Sequence, residues 1–414
     1  MTLTDLAPTS SQANCSADSR KKAMLNKVPE VTIYFWIIKV LCTTVGETAS
    51  DFLNVTIGLG LTGTSIVVGA LLLVVLYFQF KAGRYIPGVY WLAVVLISVF
   101  GTLITDNLTD SMGVPLEIST AVFSFALALT FVVWYAREGT LSIHTIFTRR
   151  RELFYWSAIL FTFALGTAAG DLMAESLGLG YLVTGIIVCA TIAAIGIAWR
   201  FNLDPVLSFW IAYILTRPLG ASFGDYLSQS QANGGLGLGA SSTTAVFMLA
   251  ILAVIIFLSI TRRDSVVGTP PRISAHEKRL AVVWQVVVVV AVMVAAAGSG
   301  YHWRRMQLIN QARISASPNA PLGDLSVFSE ITKDTLGLVA AGDLAAAKSR
   351  VGDLESAWDN AAARIKPVNP EKWSSLDDSI DNALRTLRAA RQDAGACKSS
   401  LKALLGTLNS LDSR

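Results

Sequence analysis

The chain has 414 residues, 53% of them hydrophobic and 15% charged, with a formal net charge of +4 and a mean hydropathy of +0.54. This composition excludes an ordinary soluble protein and fits a multi-span membrane protein with a soluble appendage. Cys15, Cys42, Cys189 and Cys397 are far apart, with no CxxC or Cys/His spacing, so neither a disulfide framework nor a zinc site is indicated.

In chain order, residues 1–28 are polar and carry Arg20, Lys21 and Lys22. They lack the apolar core of a signal peptide and are expected to form a short, disordered cytoplasmic tail. Apolar segments follow at Val31–Leu53, Ile57–Phe80, Pro87–Leu108, Ile118–Tyr135, Leu153–Met173, Tyr181–Trp199, Pro205–Leu227, Thr244–Ile260 and Leu280–Ala297. Most reach about the 20 residues that a bilayer-crossing helix needs. The first eight fall into four pairs: repeat 1 at 29–84, repeat 2 at 85–150, repeat 3 at 151–202 and repeat 4 at 203–264. A cytoplasmic linker, 265–279, leads to a ninth transmembrane helix, 280–300. The predicted fold class is an all-α membrane protein of four parallel tandem two-helix repeats plus a ninth helix, followed by an external helical bundle.

A W-x9-G-x4-D pattern occurs in the first helix of every pair: Trp36/Gly46/Asp51, Trp91/Gly101/Asp106, Trp156/Gly166/Asp171 and Trp210/Gly220/Asp225. Carboxylates are costly in hydrocarbon, so four of them at one depth point to a functional site. Fifteen residues of helix rise about 22 Å. With each Trp near the inner interface, where Trp is enriched, the Asp residues fall in the outer third of the membrane. Small neighbours around each Gly allow close helix approach or a local helix break. The Trp reads as an interfacial anchor or packing residue, and the Gly as a packing residue rather than a hinge.

Lys27, Lys81, Arg84, Arg137, Arg149, Arg150, Arg151, Arg200, Arg262, Arg263, Arg272, Lys278 and Arg279 all lie on one set of connections, and the short connections opposite hold no Lys or Arg. The positive-inside rule then places the N-terminus in the cytoplasm. Two spans per repeat give all four copies one direction, related by an axis along the membrane normal.

Each Asp has a second polar group four residues away: Glu47 before Asp51, Asp110 after Asp106, Glu175 after Asp171 and Gln229 after Asp225. The hydroxyls of Thr43, Thr44, Thr48, Thr102, Thr105, Thr167 and Ser222 lie nearby. This hard-oxygen set suits Mg²⁺, Mn²⁺, Ca²⁺, Na⁺ or protons. The repeats contain one His, His144, in a cytoplasmic loop, and no Cys or Met at the motif positions, which argues against Cu(I) and His-rich zinc pathways. The bland alternative is that each Asp ends its helix and caps the next.

Lys39 and Arg217 break the symmetry as gating or charge-pairing residues. Lys39 either snorkels to the interface or pairs with a carboxylate. Arg217 is expected to pair with a repeat Asp, as a static ion pair or as a built-in surrogate cation released when an ion binds.

The sets YFW…GETASDF, VYW…GTLITDN, FYW…GTAAGDL and SFW…GASFGDY resemble a bacterial family of membrane-anchored proteins. That family is built from a four-fold repeat of unknown function, each copy with two transmembrane regions and a Trp. The likeness covers about residues 28–263. It implies a bacterial inner-membrane location and the helix-pair fold, and it supplies no activity. By analogy only, Gly170-Asp171 and Gly224-Asp225 are similar to the Glu-x-Gly-Asp motifs of a family of Mn²⁺/Ca²⁺ exchangers.

Residues 301–414 show helical periodicity through Leu325–Ala341, Leu344–Ile365, Trp373–Ala390 and Leu401–Leu411. Asn369-Pro370-Glu371 reads as a helix start, and Gly342-Asp343 as a stop followed by a new N-cap. A small extracytoplasmic four-helix domain is expected, with docking or sensing as its mild functional reading. It has no Met or His after Met306, which disfavours haem ligation. Asp343, Asp353, Glu355 and Asp359 read as a solvated face rather than a metal site.

The expected function is secondary transport, most simply export, of a small hard cation such as Mn, Mg or Ca, coupled to protons. Asp51, Asp106, Asp171 and Asp225 would form the ion site, with Glu47, Asp110, Glu175 and Gln229 as a second layer. The cation is cargo, and no resident cofactor is indicated. The partners are the lipid bilayer, the cation and protons, with no nucleic acid; a homodimer and an external partner of the C-terminal domain are compatible. The alternative is a membrane-anchored sensor or scaffold presenting the external domain. An enzyme is the weakest reading, because no nucleophile–base pair accompanies the acids.

Overall fold

A computed structural model describes residues 26–229, 231, 234–261, 263, 277–315, 322, 324–366, 369–389 and 392–411, with no strand among them. The repeats contribute α1 (Ile33–Asp51), α2 (Gly60–Lys81), α3 (Pro87–Asp106), α4 (Leu116–Glu138), α5 (Arg149–Asp171), α6 (Tyr181–Arg200), α7 (Pro205–Ser228) and α8 (Ala240–Thr261). Local chemistry starts the odd-numbered helices. Thr32 and Thr148 cap α1 and α5, Pro87 opens α3, and Asp204 accepts from the backbone of Val206 and Leu207 ahead of Pro205 in α7.

The odd-numbered helices form a closed inner ring: α1 packs on α3, α3 on α5, α5 on α7 and α7 on α1. The even-numbered helices lie outside. Each packs chiefly on the inner helix of the next repeat rather than on its own partner: α2 on α3, α4 on α5, α6 on α7 and α8 on α1. The repeats are thus interlocked around the ring. The Thr244–Thr48 hydroxyl bond (2.8 Å) helps tie α8 to α1. Asn107 donates to Ser65 Oγ (2.9 Å), tying α3 to α2.

Among the described residues, eight helices are long and apolar enough to cross a membrane: α2 to α8 and a stretch of α9 (Glu277–Ser315), Val282–Leu308. α1 falls short of that measure because it carries Lys39, Glu47 and Asp51, yet it occupies the same place in the ring as α3, α5 and α7. α9 continues beyond residue 300, the expected end of the ninth span. Gln285 on α9 accepts from Asp204 N (3.0 Å), and Arg304 donates to the carbonyls of Leu177 and Gly178. Nineteen residues of helix separate these tethers, a rise of about 28 Å, close to one hydrocarbon thickness.

At the end that carries the basic connections, the tail stops earlier than expected. Asn26, Lys27 and Val28 are buried. Lys27 Nζ pairs with Glu152 (2.7 Å) and donates to the Phe80 carbonyl, and Gln79 donates to the same carboxylate (3.1 Å). This staple joins repeats 1 and 3. Tail residues 1–25 and linker residues 265–276 lie outside the described residues.

The C-terminal part is a four-helix bundle: α10 (Ser326–Ala340), α11 (Leu344–Ile365), α12 (Pro370–Arg388) and α13 (Ala394–Leu411), with one apolar core. Asp343 and Asn369 cap α11 and α12, as their sequence predicts. Trp358 and Trp373 stack at 3.7 Å in the core, and Trp358 donates to Asp377 (2.6 Å). Arg350 pairs with Asp353 and Arg388 with Glu355, so these acids serve as ion-pair partners on the bundle surface. α11 packs on the turn after α5.

Candidate functional site: an axial ladder of four-residue layers

Because the four copies keep one spacing, equivalent residues meet around the axis of the inner ring in layers one helical turn apart. Starting from the basic end, the first layer is aromatic: Phe35, Tyr90, Tyr155 and Phe209, each just before a repeat Trp. Each ring packs on the next repeat's Trp: Phe35 on Trp91 (5.6 Å), Tyr90 on Trp156 (5.4 Å), Tyr155 on Trp210 (6.3 Å) and Phe209 on Trp36 (5.7 Å). The Tyr90 and Tyr155 hydroxyls hydrogen-bond to each other. Trp91, Trp156 and Trp210 are buried, so the repeated Trp is a packing residue rather than an interfacial anchor.

The next layer is Lys39, Val94, Ile159 and Tyr213. Lys39 contradicts both expectations for it. It is buried, its Nζ has no hydrogen-bond partner, and it lies over the rings of Phe163 (3.8 Å) and Tyr213 (4.2 Å). It neither snorkels nor meets a carboxylate among the described residues.

One turn on come Thr43, Ser98, Phe163 and Arg217, the positions that face the repeat glycines. A Cβ on Gly101 would sit 2.7 Å from Phe163 Cβ. One on Gly220 would sit 2.9 Å from Thr44 N and closer still to Thr43. Gly46 meets Ser98 and Gly166 meets Arg217 in the same way. The Gly is therefore a close-approach residue that lets the ring close.

Residues directly after those glycines form the following layer: Glu47, Thr102, Thr167 and Ala221. Arg217, fully buried, reaches across into it. Its Nη2 donates to Glu47 Oε2 (2.6 Å), Thr167 Oγ1 (2.7 Å) and Thr102 Oγ1, and its Nη1 to the Thr43 carbonyl (3.1 Å). A tethered cation thus sits in a cage of one carboxylate, two hydroxyls and one carbonyl drawn from α1, α3 and α5. The ion-pair partner of Arg217 is Glu47 and not a repeat Asp, which corrects the expectation. The reason is reach. Asp225 lies eight residues along α7, about 12 Å, whereas Gly166 lets α5 approach closely enough for Arg217 to cross the axis.

Asp51, Asp106, Asp171 and Asp225 follow one turn further out. Asp225 is buried, the other three half-buried. Glu47 lies within electrostatic reach of all four. The first three Asp residues end the α-helical stretch, and a five-residue π-helix follows each: Phe52–Thr56, Asn107–Ser111 and Leu172–Ser176. The helix break therefore lies after the Asp and not at the Gly. π-turns of this kind gather at functional sites. α7 continues unbroken to Ser228.

The expected second layer divides. Glu47 lies inward of the Asp ring with Arg217. Asp110 and Glu175 are exposed on the π-turns, with Thr109 and Tyr181 donating to them (2.8 and 3.4 Å). Gln229 is the C-terminal cap of α7. Among the described residues, no three His, Cys, Asp or Glu side chains converge as metal ligands. The sequence alone did not single out Thr102 and Thr167 from the other hydroxyls; their signal is that they directly follow a repeat glycine.

The interlocked ring defines a multi-pass helical membrane protein built from a four-fold internal repeat. The chain belongs to the family described as Repeat of Unknown Function (DUF347), which matches at residues 34–85, 89–140, 154–202 and 208–264. No curated protein and no solved structure matches it.

Proposed function

We propose that the protein is a secondary transporter that exports a small hard cation, such as Mn, Mg or Ca, in exchange for protons along the ring axis. The observation that carries this reading is the guanidinium of Arg217 in an all-oxygen cage on that axis. Carboxylate, hydroxyl and carbonyl oxygens are the donors that hard cations take. Arg217 acts as the surrogate that fills the cage between ions. The ring of Asp51, Asp106, Asp171 and Asp225 concentrates cations at the mouth of the path. Glu47, Thr102, Thr167 and the Thr43 carbonyl form the inner station. Asp110, Glu175 and Gln229 belong to the rim.

The positive-inside bias puts the aromatic layer on the cytoplasmic side of a bacterial inner membrane. The Asp ring and the C-terminal bundle then face the periplasm. The test is flux of Mn²⁺, Mg²⁺ and Ca²⁺ into proteoliposomes. Replacing any repeat Asp by Asn, or Glu47 by Gln, should abolish it; full transport by all five variants would sink the proposal.

One observation favours a second reading, a sensor or scaffold. α11 of the bundle packs on the π-turn Leu172–Ser176, where a ligand-induced shift could be relayed to the ring. Deleting residues 310–414 separates the two, because a transporter keeps its flux and a sensor loses its phenotype.

A further inference from the structure

Of the three buried cations among the described residues, Lys27 pairs with Glu152 and Arg217 with Glu47. Lys39 alone has no carboxylate. We infer that Lys39 is the group that carries the coupling proton, an assignment that rests on the transport reading above.

The geometry supports this in three ways. First, the ammonium is stabilised by two ring faces only, Phe163 on α5 and Tyr213 on α7. Ring faces offset part of the cost of a buried charge, not all of it. Lys39 is therefore the least compensated cation on the axis.

Second, Lys39 lies eight residues inward of Glu47 on α1, a rise of about 12 Å. A unit positive charge arriving in the oxygen cage acts on Lys39 across that distance. At an effective dielectric of about 20, it favours proton loss by roughly tenfold, and a divalent ion by roughly a hundredfold. Arg217, displaced from Glu47, adds to the same repulsion.

Third, hydroxyls lead away from Lys39 toward the basic end. The Tyr213 hydroxyl is buried with no hydrogen-bond partner in the protein, and the Tyr90 and Tyr155 hydroxyls are joined one layer further in. The other titratable or charged groups in electrostatic contact with Lys39 are Cys42 on its own helix and Arg217 on α7.

The proton balance follows. Cation binding at Glu47 releases one proton from the Lys39 ammonium toward the tyrosine side. Once the cation leaves past the Asp ring, the amine takes up one proton from that outer side. One positive charge moves inward for each cation exported, and no redox step is involved.

Two measurements on the full-length protein test the assignment. In detergent without added cation, tryptophan fluorescence is titrated from pH 5 to 10, reading Trp156 and Trp210 beside the tyrosines. The wild type should show a transition that Lys39→Met lacks. In proteoliposomes, the ratio of protons to Mn²⁺ moved should fall at least tenfold in Lys39→Met. If that variant does not fold, Lys39→Arg, whose charge is permanent, should show the same loss. A wild-type ratio in these variants, or a transition that survives Lys39→Met, overturns the assignment. If the wild type moves no Mn²⁺, Mg²⁺ or Ca²⁺, the transport reading falls, and the fluorescence titration alone decides whether Lys39 carries a proton.

Discussion

Arg217→Met should lower the stability of the membrane ring by about 4 kcal/mol, because it strands a buried carboxylate. Removing one partner of a buried ion pair typically costs 3–5 kcal/mol. Glu47 is only 8% exposed, so water cannot replace the guanidinium well. The variant also leaves Thr102, Thr167 and the Thr43 carbonyl without their shared donor, at about 1 kcal/mol each where nothing relaxes. Thr102 and Thr167 keep their own donations to the Ser98 and Phe163 carbonyls, which keeps the total near the lower figure. At about 2–4 °C per kcal/mol, the expected shift in midpoint is roughly 10 °C. Thermal unfolding in detergent, followed by tryptophan fluorescence, measures it. Arg217→Met with Glu47→Leu replaces the pair by apolar side chains and should recover most of the loss, as buried pairs exchanged whole often do. If Arg217→Met costs less than about 1 kcal/mol, or if the double variant loses the sum of the two singles, the cage does not hold the ring as described.

Gly220→Val should disrupt closure between α7 and α1, costing at least the ~1–3 kcal/mol of an overpacked core, because part of the obstruction is the Thr44 backbone. Gly196→Ala on α6, which meets open space, should be neutral or stabilise by up to ~1 kcal/mol; unfolding midpoints separate the two. At the basic end, Lys27→Met should cost about 3–5 kcal/mol by stranding Glu152, with Glu152→Gln in the same chain restoring part of it. Burial pushes the Cys397 thiol above its ordinary value of 9.0. The folded state then holds the proton more tightly than the unfolded one, so this contribution to bundle stability is complete below pH 9.0 and is lost as pH rises through the folded value. With Cys15 and Cys189 replaced by Ser, alkylation of Cys397 should accordingly be slow at pH 8 until denaturant opens the bundle; rapid labelling of Cys397 in the native chain contradicts the packing described. Trp358→Ala should cost the bundle about 3–5 kcal/mol by removing half of the buried tryptophan stack, read by chemical denaturation.

The spans, the repeat period, the motif register and the caps of the C-terminal helices were legible because each depends on residues close in sequence. Thr32, Pro87, Thr148 and Asp204 announce their helices locally, as do Asp343 and Asn369. The ring was not legible. Nothing in the sequence of α2 says that it packs on α3 rather than α1, because any apolar helix can cover any other in lipid. The partner of Arg217 was missed for a related reason. Reading along one helix brings Asp225 to mind, but the side chain crosses to a neighbour, and only the close approach at Gly166 makes that crossing available. Trp admitted two readings, anchor and packing: its interfacial preference is real, but here each ring is claimed by an aromatic side chain of the preceding repeat.

The ladder combines near-perfect symmetry in its scaffold and its Asp ring with none in the charges inward of that ring. Glycine and the aromatic–Trp contacts recur in all four copies. In the layers between them, Lys39, Arg217 and Glu47 each occur once. A symmetric pore would repeat its charge around the axis, and four arginines at the Arg217 level could not be packed or neutralised there. A single arginine can close the axis because three other helices supply small or oxygen-bearing partners: Glu47, Thr102 and Thr167. A single lysine one layer inward can then respond to whatever replaces that arginine. This division of labour accounts for a repeat that keeps its spacing strictly while letting the residue at each axial position diverge, and it makes Glu47, rather than any one aspartate, the position whose substitution should change both stability and transport.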